Sequence, residues 1–233
     1  MAIRVGTSGF SYKEWKGAFY PEDLPASKML AFYADQLPAV EINNTFYRMP
    51  NPSVLESWSD QVGDSFRFVL KASRRITHFK RLKDVEDEVG FFLRSASSLG
   101  DRLGAVLFQL PPNMPKDVDR LESLLDQLGD PGRAAFEFRH DSWFDPEVTE
   151  CLARHGAALC AADTEQRPAE IVQTGSLGYV RLRRPDYGEK QLAHWASLVR
   201  DADWKEAFVF FKHEDEATGP RLAGRFQELV SGS

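Results

Sequence analysis

Short apolar runs recur along the whole chain and alternate with segments whose apolar residues follow helical spacing. Runs such as residues 105–108 and 207–211 are continuously apolar, which is typical of strands covered on both faces in a parallel sheet. Eight such runs predict buried strands at residues 3–9, 39–45, 66–72, 104–110, 134–140, 157–163, 177–183 and 207–213.

The segments between these runs carry the signals that start helices. Asn51 and Asp145 each stand before a proline, so an N-cap residue is followed by the one residue that needs no N–H at the first helical position. Asp117 is placed to cap another helix, whose leucines lie on one face. Residues 164–176 are the exception, because this stretch lacks the length and the apolar period of a helix.

Alternating strands and helices predict a parallel sheet. Eight strands in 233 residues favour closure of the sheet into a barrel, a fold that commonly needs about 250 residues. We therefore predict an α/β fold, a single (β/α)8 barrel of the TIM type over residues 1–233, in which helix six is short or missing. No internal repeat, low-complexity tract or linker divides the chain.

Composition limits the surroundings of the protein more than its fold. No apolar run approaches the roughly 20 residues of a membrane span, so we expect a soluble protein without a membrane partner. Cys151 and Cys160 fall in apolar segments and are expected to be buried, reduced thiols. Met1 is not followed by a charged and then apolar leader. These features predict a cytoplasmic location; the sequence does not indicate an oligomeric state.

Polar residues concentrate at the carboxyl ends of the predicted strands, which is where barrel enzymes place their active sites. We expect catalytic roles for Glu41, Lys71, Glu137 and Asp163. We expect substrate-binding roles for Asn43, His78, Gln109, Arg139 and Arg181. Residues two apart on a strand share a face, so Glu41 pairs with Asn43 and Glu137 pairs with Arg139.

Two interpretations of these polar strand ends stay open. The structural interpretation is a closed network of glutamates and arginines that fills the upper barrel. The functional interpretation is one cavity lined by Glu41, Lys71, Glu137, Arg139, Asp163 and Arg181, because packing does not require every strand to contribute a polar group to one rim.

The charge balance at this rim favours an anionic ligand. The whole chain has a net charge of −6, yet lysines and arginines outnumber carboxylates at the strand ends. Guanidinium groups match phosphate oxygens in pairs, so a small phosphate-containing molecule is the expected ligand. No metal site is predicted, because zinc-binding motifs are absent, although scattered acidic and histidine residues leave a divalent cation open. The cofactor is unknown.

Several blocks resemble a known family. They are GTSGFSY at residues 6–12, VEINNTFY at 40–47, FRFVLK at 66–71, QLPP at 109–112 and AFEFRH at 135–140. In this order they look like the YecE-like domain-of-unknown-function family. The resemblance implies a barrel similar to those of endonuclease IV and the sugar isomerases, and no established reaction. The chain departs from the family pattern around Arg183 and His213, whose roles therefore stay open.

Three classes of function are compatible with these observations. The first is an enzyme, a hydrolase, lyase or isomerase with carboxylate acid and base groups, that acts on a small anionic molecule. The alternative is a nucleic-acid-binding or phosphodiester-processing protein, in which aromatic residues such as Trp15, Tyr47 and Trp143 stack bases. The third is a sensor that binds a ligand without turnover.

Overall fold

The computed structural model describes residues 1–213 and 215–232. One parallel sheet holds the strands, each of which arises from a predicted apolar run. The strands are β1 Ala2–Ser8, β2 Ala39–Ile42, β3 Arg67–Lys71, β4 Leu103–Gln109, β5 Ala134–Glu137, β6 Ala158–Leu159, β7 Ala161–Asp163, β8 Leu177–Leu182 and β9 Glu206–Phe211. The predicted strands are confirmed, with the sixth divided into β6 and β7.

The sheet closes into a barrel through that divided strand. β1 pairs with β2 on one side and with β9 on the other, so the first and last strands are neighbours. β6 pairs with β5, and β7 pairs with β8. Cys160 stands between the two pieces, and its backbone N–H donates to Phe136 O at 2.9 Å, which continues the pairing with β5. This short stretch, the β6/β7 seam, completes the ring.

Seven α-helices surround the barrel within the described residues. They are α1 Met29–Gln36, α2 Pro52–Ser59, α3 Glu86–Ala96, α4 Val118–Gln127, α5 Pro146–His155, α6 Glu189–Asp201 and α7 Thr218–Ser231. Asp117 and Asp145 accept hydrogen bonds from the first-turn N–H groups of α4 and α5, as their positions predict. Residues 164–176 form no helix, which confirms the expected gap in the wall. No helix of the described chain is both long enough and apolar enough to cross a bilayer.

Alternation along the strands divides the core into two layers. Outward-facing residues such as Phe68 and Phe136 pack against the helices, whereas Val69, Leu107 and Phe208 fill the barrel interior. The interior is tight: a Cβ added at Gly104 would lie 2.5 Å from the ring of Phe208. The middle of the barrel therefore forms a packed core, and at the carboxyl end of the sheet Glu41, Lys71, Glu137 and Arg181 are buried polar side chains.

Candidate functional site

Arg181 lies at the centre of the upper barrel, between two glutamates. It follows Tyr179 by two residues on β8 and therefore shares the inward face. Its guanidinium donates to Glu41 Oε1 at 2.7 Å and to Glu137 Oε2. Arg181 is 2% exposed, Glu41 0% and Glu137 1%, so the triad is sealed from solvent. A buried triad of this kind keeps its charges only because each group is paired.

Glu41 is held by hydroxyl and amide donors in addition to Arg181. Ser8 Oγ donates to its Oε1 at 2.7 Å, and Tyr179 OH donates to its Oε2 at 2.6 Å. Asn43, the partner expected from the strand spacing, donates to Oε1 at 3.4 Å. Both oxygens of this carboxylate are therefore occupied by protein donors.

Glu137 accepts hydrogen bonds from several further side chains at the mouth. Its Oε1 accepts from Gln109 Nε2 at 2.8 Å, from Arg139 Nε at 3.1 Å and from Arg183 Nη1 at 3.4 Å. Burial alone would raise the pKa of Glu137, but the charges of Arg181, Arg139 and Arg183 outweigh burial and hold the pKa well below its usual range. Glu137 is therefore a permanent anion rather than a proton donor near neutral pH.

Lys71 extends the network toward the third strand. Its Nζ donates to Gln109 Oε1 at 2.7 Å and lies 4.2 Å from the centroid of the Phe46 ring. Burial, reinforced by the charge of Arg181, lowers the pKa of Lys71 to about 8. Proton exchange at this amine is therefore accessible near neutral pH, which suits a general acid or base.

His78 lies beside Lys71 at the rim. Its ring packs edge-on against Phe46 at 4.8 Å between centroids, and its Nδ1 is 2.9 Å from Thr77 Oγ1. Burial and the positive charges of Lys71, Arg139 and Arg81 lower the pKa of His78 to about 4. The imidazole is therefore neutral at pH 7.

The structure separates Asp163 from these residues, so the expectation of a shared cavity is wrong for this carboxylate. Ala162 faces the barrel interior and Asp163, its neighbour on β7, faces the helices. There Asp163 Oδ1 accepts from Arg184 Nη2 at 2.9 Å and Oδ2 accepts from Tyr187 OH at 2.9 Å. His213 packs near the same tyrosine, with 6.2 Å between ring centroids. These residues form an outer cluster.

The remaining expected site residues do come together, as one connected hydrogen-bond network. Its members are Glu41, Asn43, Lys71, Gln109, Glu137, Arg139 and Arg181, with His78 in contact through Phe46. The network fills the upper barrel, and most of its members are buried. Sequence reasoning missed Ser8 and Tyr179 as partners of Glu41. Tyr179 had a usable signal, because it precedes Arg181 by two residues on one strand.

The solvent-facing part of this network is positively charged. Arg139 and Arg183 have side-chain exposures of 33% and 21%. Burial, and after it the charge of Arg181, lower the pKa of Arg183. A cavity of about 450 Å³ opens beside Arg183 and is lined by Arg184, Pro185, Lys212 and His213 among others. Among residues 1–213 and 215–232, no group of three or more His, Cys, Asp or Glu residues is placed to hold a metal ion.

Comparison with family models identifies the relatives of this barrel. The family described as "Protein of unknown function DUF72" matches residues 4–233. The chain belongs to the DUF72 family. This membership confirms the YecE-like resemblance of the sequence blocks.

Individual relatives agree with the family assignment. The UPF0759 protein YecE of Escherichia coli is 35% identical over 148 residues, covering 62% of this chain and 54% of the relative. The match thus spans about half the length of that curated relative. The crystal structure of a DUF72 family protein, TM1631 from Thermotoga maritima, superimposes with a TM-score of 0.87 at 27% identity, covering 99% of this chain and all of that one.

A structure outside the DUF72 family shows the same architecture. A D-psicose 3-epimerase superimposes with a TM-score of 0.54 at 12% identity, covering 99% of this chain and 96% of the epimerase. At this identity the likeness concerns the fold alone. It agrees with the barrel of the TIM type and carries no argument about substrate or chemistry.

Proposed function

We propose that the protein is a single-domain cytoplasmic enzyme that binds a small phosphate-containing molecule at the barrel mouth. One observation carries the proposal, namely the positive charge around Glu137 that carboxylates leave uncompensated. Four cationic side chains surround Glu41 and Glu137, two carboxylates whose oxygens already accept hydrogen bonds from protein donors. The four are Lys71, Arg139, Arg181 and Arg183. Two free, buried cysteines fit a reducing compartment.

The arginines of the mouth retain donors for an anion. A guanidinium has five N–H donors, and within the described residues Arg139 uses one of them, toward Glu137. Arg183 also uses one, and its buried Nε has no partner among the described residues. A buried N–H without an acceptor is costly, so a phosphate oxygen at this position would be favoured.

Lys71 is the proposed acid or base. Its ammonium has three donors and one acceptor, Gln109, in the described structure. The lowered pKa of Lys71 places both protonation states within reach of a neutral solution. Glu41 and Glu137 then act by holding Arg181 and Arg139, since protein donors already occupy the oxygens of both carboxylates.

The nucleic-acid alternative draws less support from the described residues. Trp15 and Trp143 are 0% and 1% exposed and cannot stack on bases, whereas Tyr47 is 65% exposed. A small anionic substrate therefore explains the mouth with fewer assumptions than a long polymer.

The test is calorimetric titration of inorganic phosphate into the protein and into Arg139→Gln. We expect the variant to lose about 1–3 kcal/mol of binding free energy, the contribution of charge-assisted hydrogen bonds. Arg154→Gln is the control, because Arg154 pairs with Glu122 on the outer surface. Equal phosphate affinity in all three proteins, with a large fall in melting temperature for Arg139→Gln, would leave a structural ion pair and no anion site.

A second measurement separates an enzyme from a sensor. Phosphorylated metabolites that bind are screened for turnover, and Lys71→Met is compared with the wild type. We expect turnover to vanish in Lys71→Met while phosphate affinity changes by less than tenfold. Tight binding without turnover of any compound by the wild type would favour the sensor.

A further inference from the structure

An exposed aromatic surface adjoins the charged mouth on the side of Lys71. Phe46, whose ring lies under the Lys71 ammonium, packs edge-on against Tyr47 at 5.0 Å between centroids. The guanidinium carbon of Arg74 lies 5.4 Å from the centroid of Tyr47 and 5.2 Å from that of Phe79. Phe46, Tyr47, Arg74 and Phe79 thus form a continuous aromatic ledge that leads away from the mouth.

The two outer rings of the aromatic ledge are strongly exposed. Tyr47 is 65% exposed and Phe79 is 67% exposed, the largest values among the exposed large apolar residues. Single exposed aromatic residues are ordinary, but a cluster with a guanidinium beside a charged pocket is typical of a recognition surface. Most of each side chain is therefore accessible to a planar partner.

The segment that carries Phe79 is firmly anchored. Residues Arg75–Phe79 form a single π turn, a feature frequent at functional sites. Ile76 and Leu82 on either side of Phe79 are 0% and 2% exposed. Arg81 and Leu82 also hold left-handed backbone conformations, with φ of 50° and 64°. The fold therefore maintains a strained loop that places an aromatic side chain in water, and strain of this kind concentrates at ligand sites.

We infer that the ligand of the mouth is a phosphate ester with a planar aromatic ring, a nucleotide, whose base stacks on the aromatic ledge. The inference rests on the proposed function, because Arg139 and Arg183 are assigned to the phosphate. Bases stack on Tyr, Phe and Arg planes without hydrogen-bond readout, so the ledge selects the ring and the mouth selects the charge. A free mononucleotide and the terminal nucleotide of a strand share this chemistry.

The experiment titrates four ligands into the wild-type protein: inorganic phosphate, ribose 5-phosphate, AMP and a 5′-phosphorylated oligo(dA). We expect AMP to bind roughly 5- to 150-fold more tightly than ribose 5-phosphate, which corresponds to about 1–3 kcal/mol for one stacked base. Oligo(dA) binding tighter than AMP would assign the ledge to a strand terminus, and tighter AMP would assign it to a mononucleotide.

Variants isolate the aromatic ledge from the charged mouth. Tyr47→Leu combined with Phe79→Leu should remove the preference for AMP and leave the affinities for phosphate and ribose 5-phosphate unchanged. Phe91→Leu is the matched control, since Phe91 is 57% exposed on α3. Circular dichroism checks that the variants fold.

The outcomes distinguish the two proposals. If phosphate and ribose 5-phosphate bind but AMP and oligo(dA) bind no more tightly, the inference about the ledge is overturned and the proposed function stands. If no phosphorylated ligand binds, both are overturned. An AMP preference that survives the double substitution would also overturn the role of the ledge.

Discussion

Two carboxylate clusters lie near the carboxyl ends of the strands, on opposite sides of the barrel wall. Inside, Glu137 contacts Arg181, and both are almost wholly buried. Outside, Asp163 contacts Arg184, whose side chain keeps 29% of its exposure. The inner pair is therefore dry on both sides, whereas the outer pair keeps its cation partly in water.

The difference arises because successive side chains of a strand point to opposite faces of the sheet. It determines how much stability each cluster loses when one of its partners is removed. A single residue along a strand decides whether a carboxylate faces the barrel or the helices. Inside, the free-energy cost of desolvating Arg181 must be offset by two carboxylates. Loss of either partner leaves a buried charge unpaired. Outside, Arg184 remains hydrated when its partner is lost. A carboxylate–guanidinium pair is therefore expected to contribute more to stability inside the barrel than outside it.

The inner cluster should give the largest loss on substitution. Glu137→Gln leaves Arg181 with Glu41 alone, and we expect the free energy of unfolding to fall by about 3–5 kcal/mol. Chemical denaturation at pH 7 measures it. Because the pKa of Glu137 is lowered on folding, its contribution is fully present above the unfolded value near 4.5 and declines as the pH falls below it. A loss under 1 kcal/mol would show that the inner network is not closed.

The outer cluster should give an intermediate loss. Asp163→Asn keeps one acceptor for Tyr187 OH and removes the charge opposite Arg184, so we expect about 1.5–3 kcal/mol by the same denaturation. Glu122→Gln serves as the control on the surface, where its pair with Arg154 should contribute about 0–1 kcal/mol. A loss for Asp163→Asn larger than that for Glu137→Gln would reverse the comparison.

Lys71 should give the smallest effect, and one that depends on pH. Its pKa falls from 10.5 in the unfolded chain to about 8 in the fold, so the unfolded chain binds more protons between these values. Stability of the wild type should therefore rise as the pH increases from 8 toward 10.5. Lys71→Met should be about 1–2 kcal/mol more stable at pH 7 and lose this rise. Equal pH slopes in both proteins would refute the lowered pKa.

The fold could be predicted from the sequence because strands that are buried on both faces have continuously apolar sequences. This held for β4 and β9, and the absence of an apolar period identified the missing helix after Asp163. The division of the sixth strand was not accessible, because residues 157–162 form one unbroken apolar run and Cys160 carries no local signal of a break.

The candidate site was less accessible, for a geometric reason. Spacing shows which side chains share a face, as for Glu137 and Arg139, but not which face is inward. Asp163 was misplaced on that account. Phe79 escaped notice because its exposure depends on a π turn that only the backbone shows. Glu214, at the departure from the family pattern, lies outside the described residues.

The β6/β7 seam also protects the chain from association. A closed ring has no edge strand, and unpaired edges are where β proteins join other chains and aggregate. The seam covers β5 through two residue pairs and β8 through three, whereas β1 and β9 share six. These few pairs keep the edges of β5 and β8, which an opened barrel would expose, out of reach of a second molecule. Their importance to solubility thus exceeds their share of the fold.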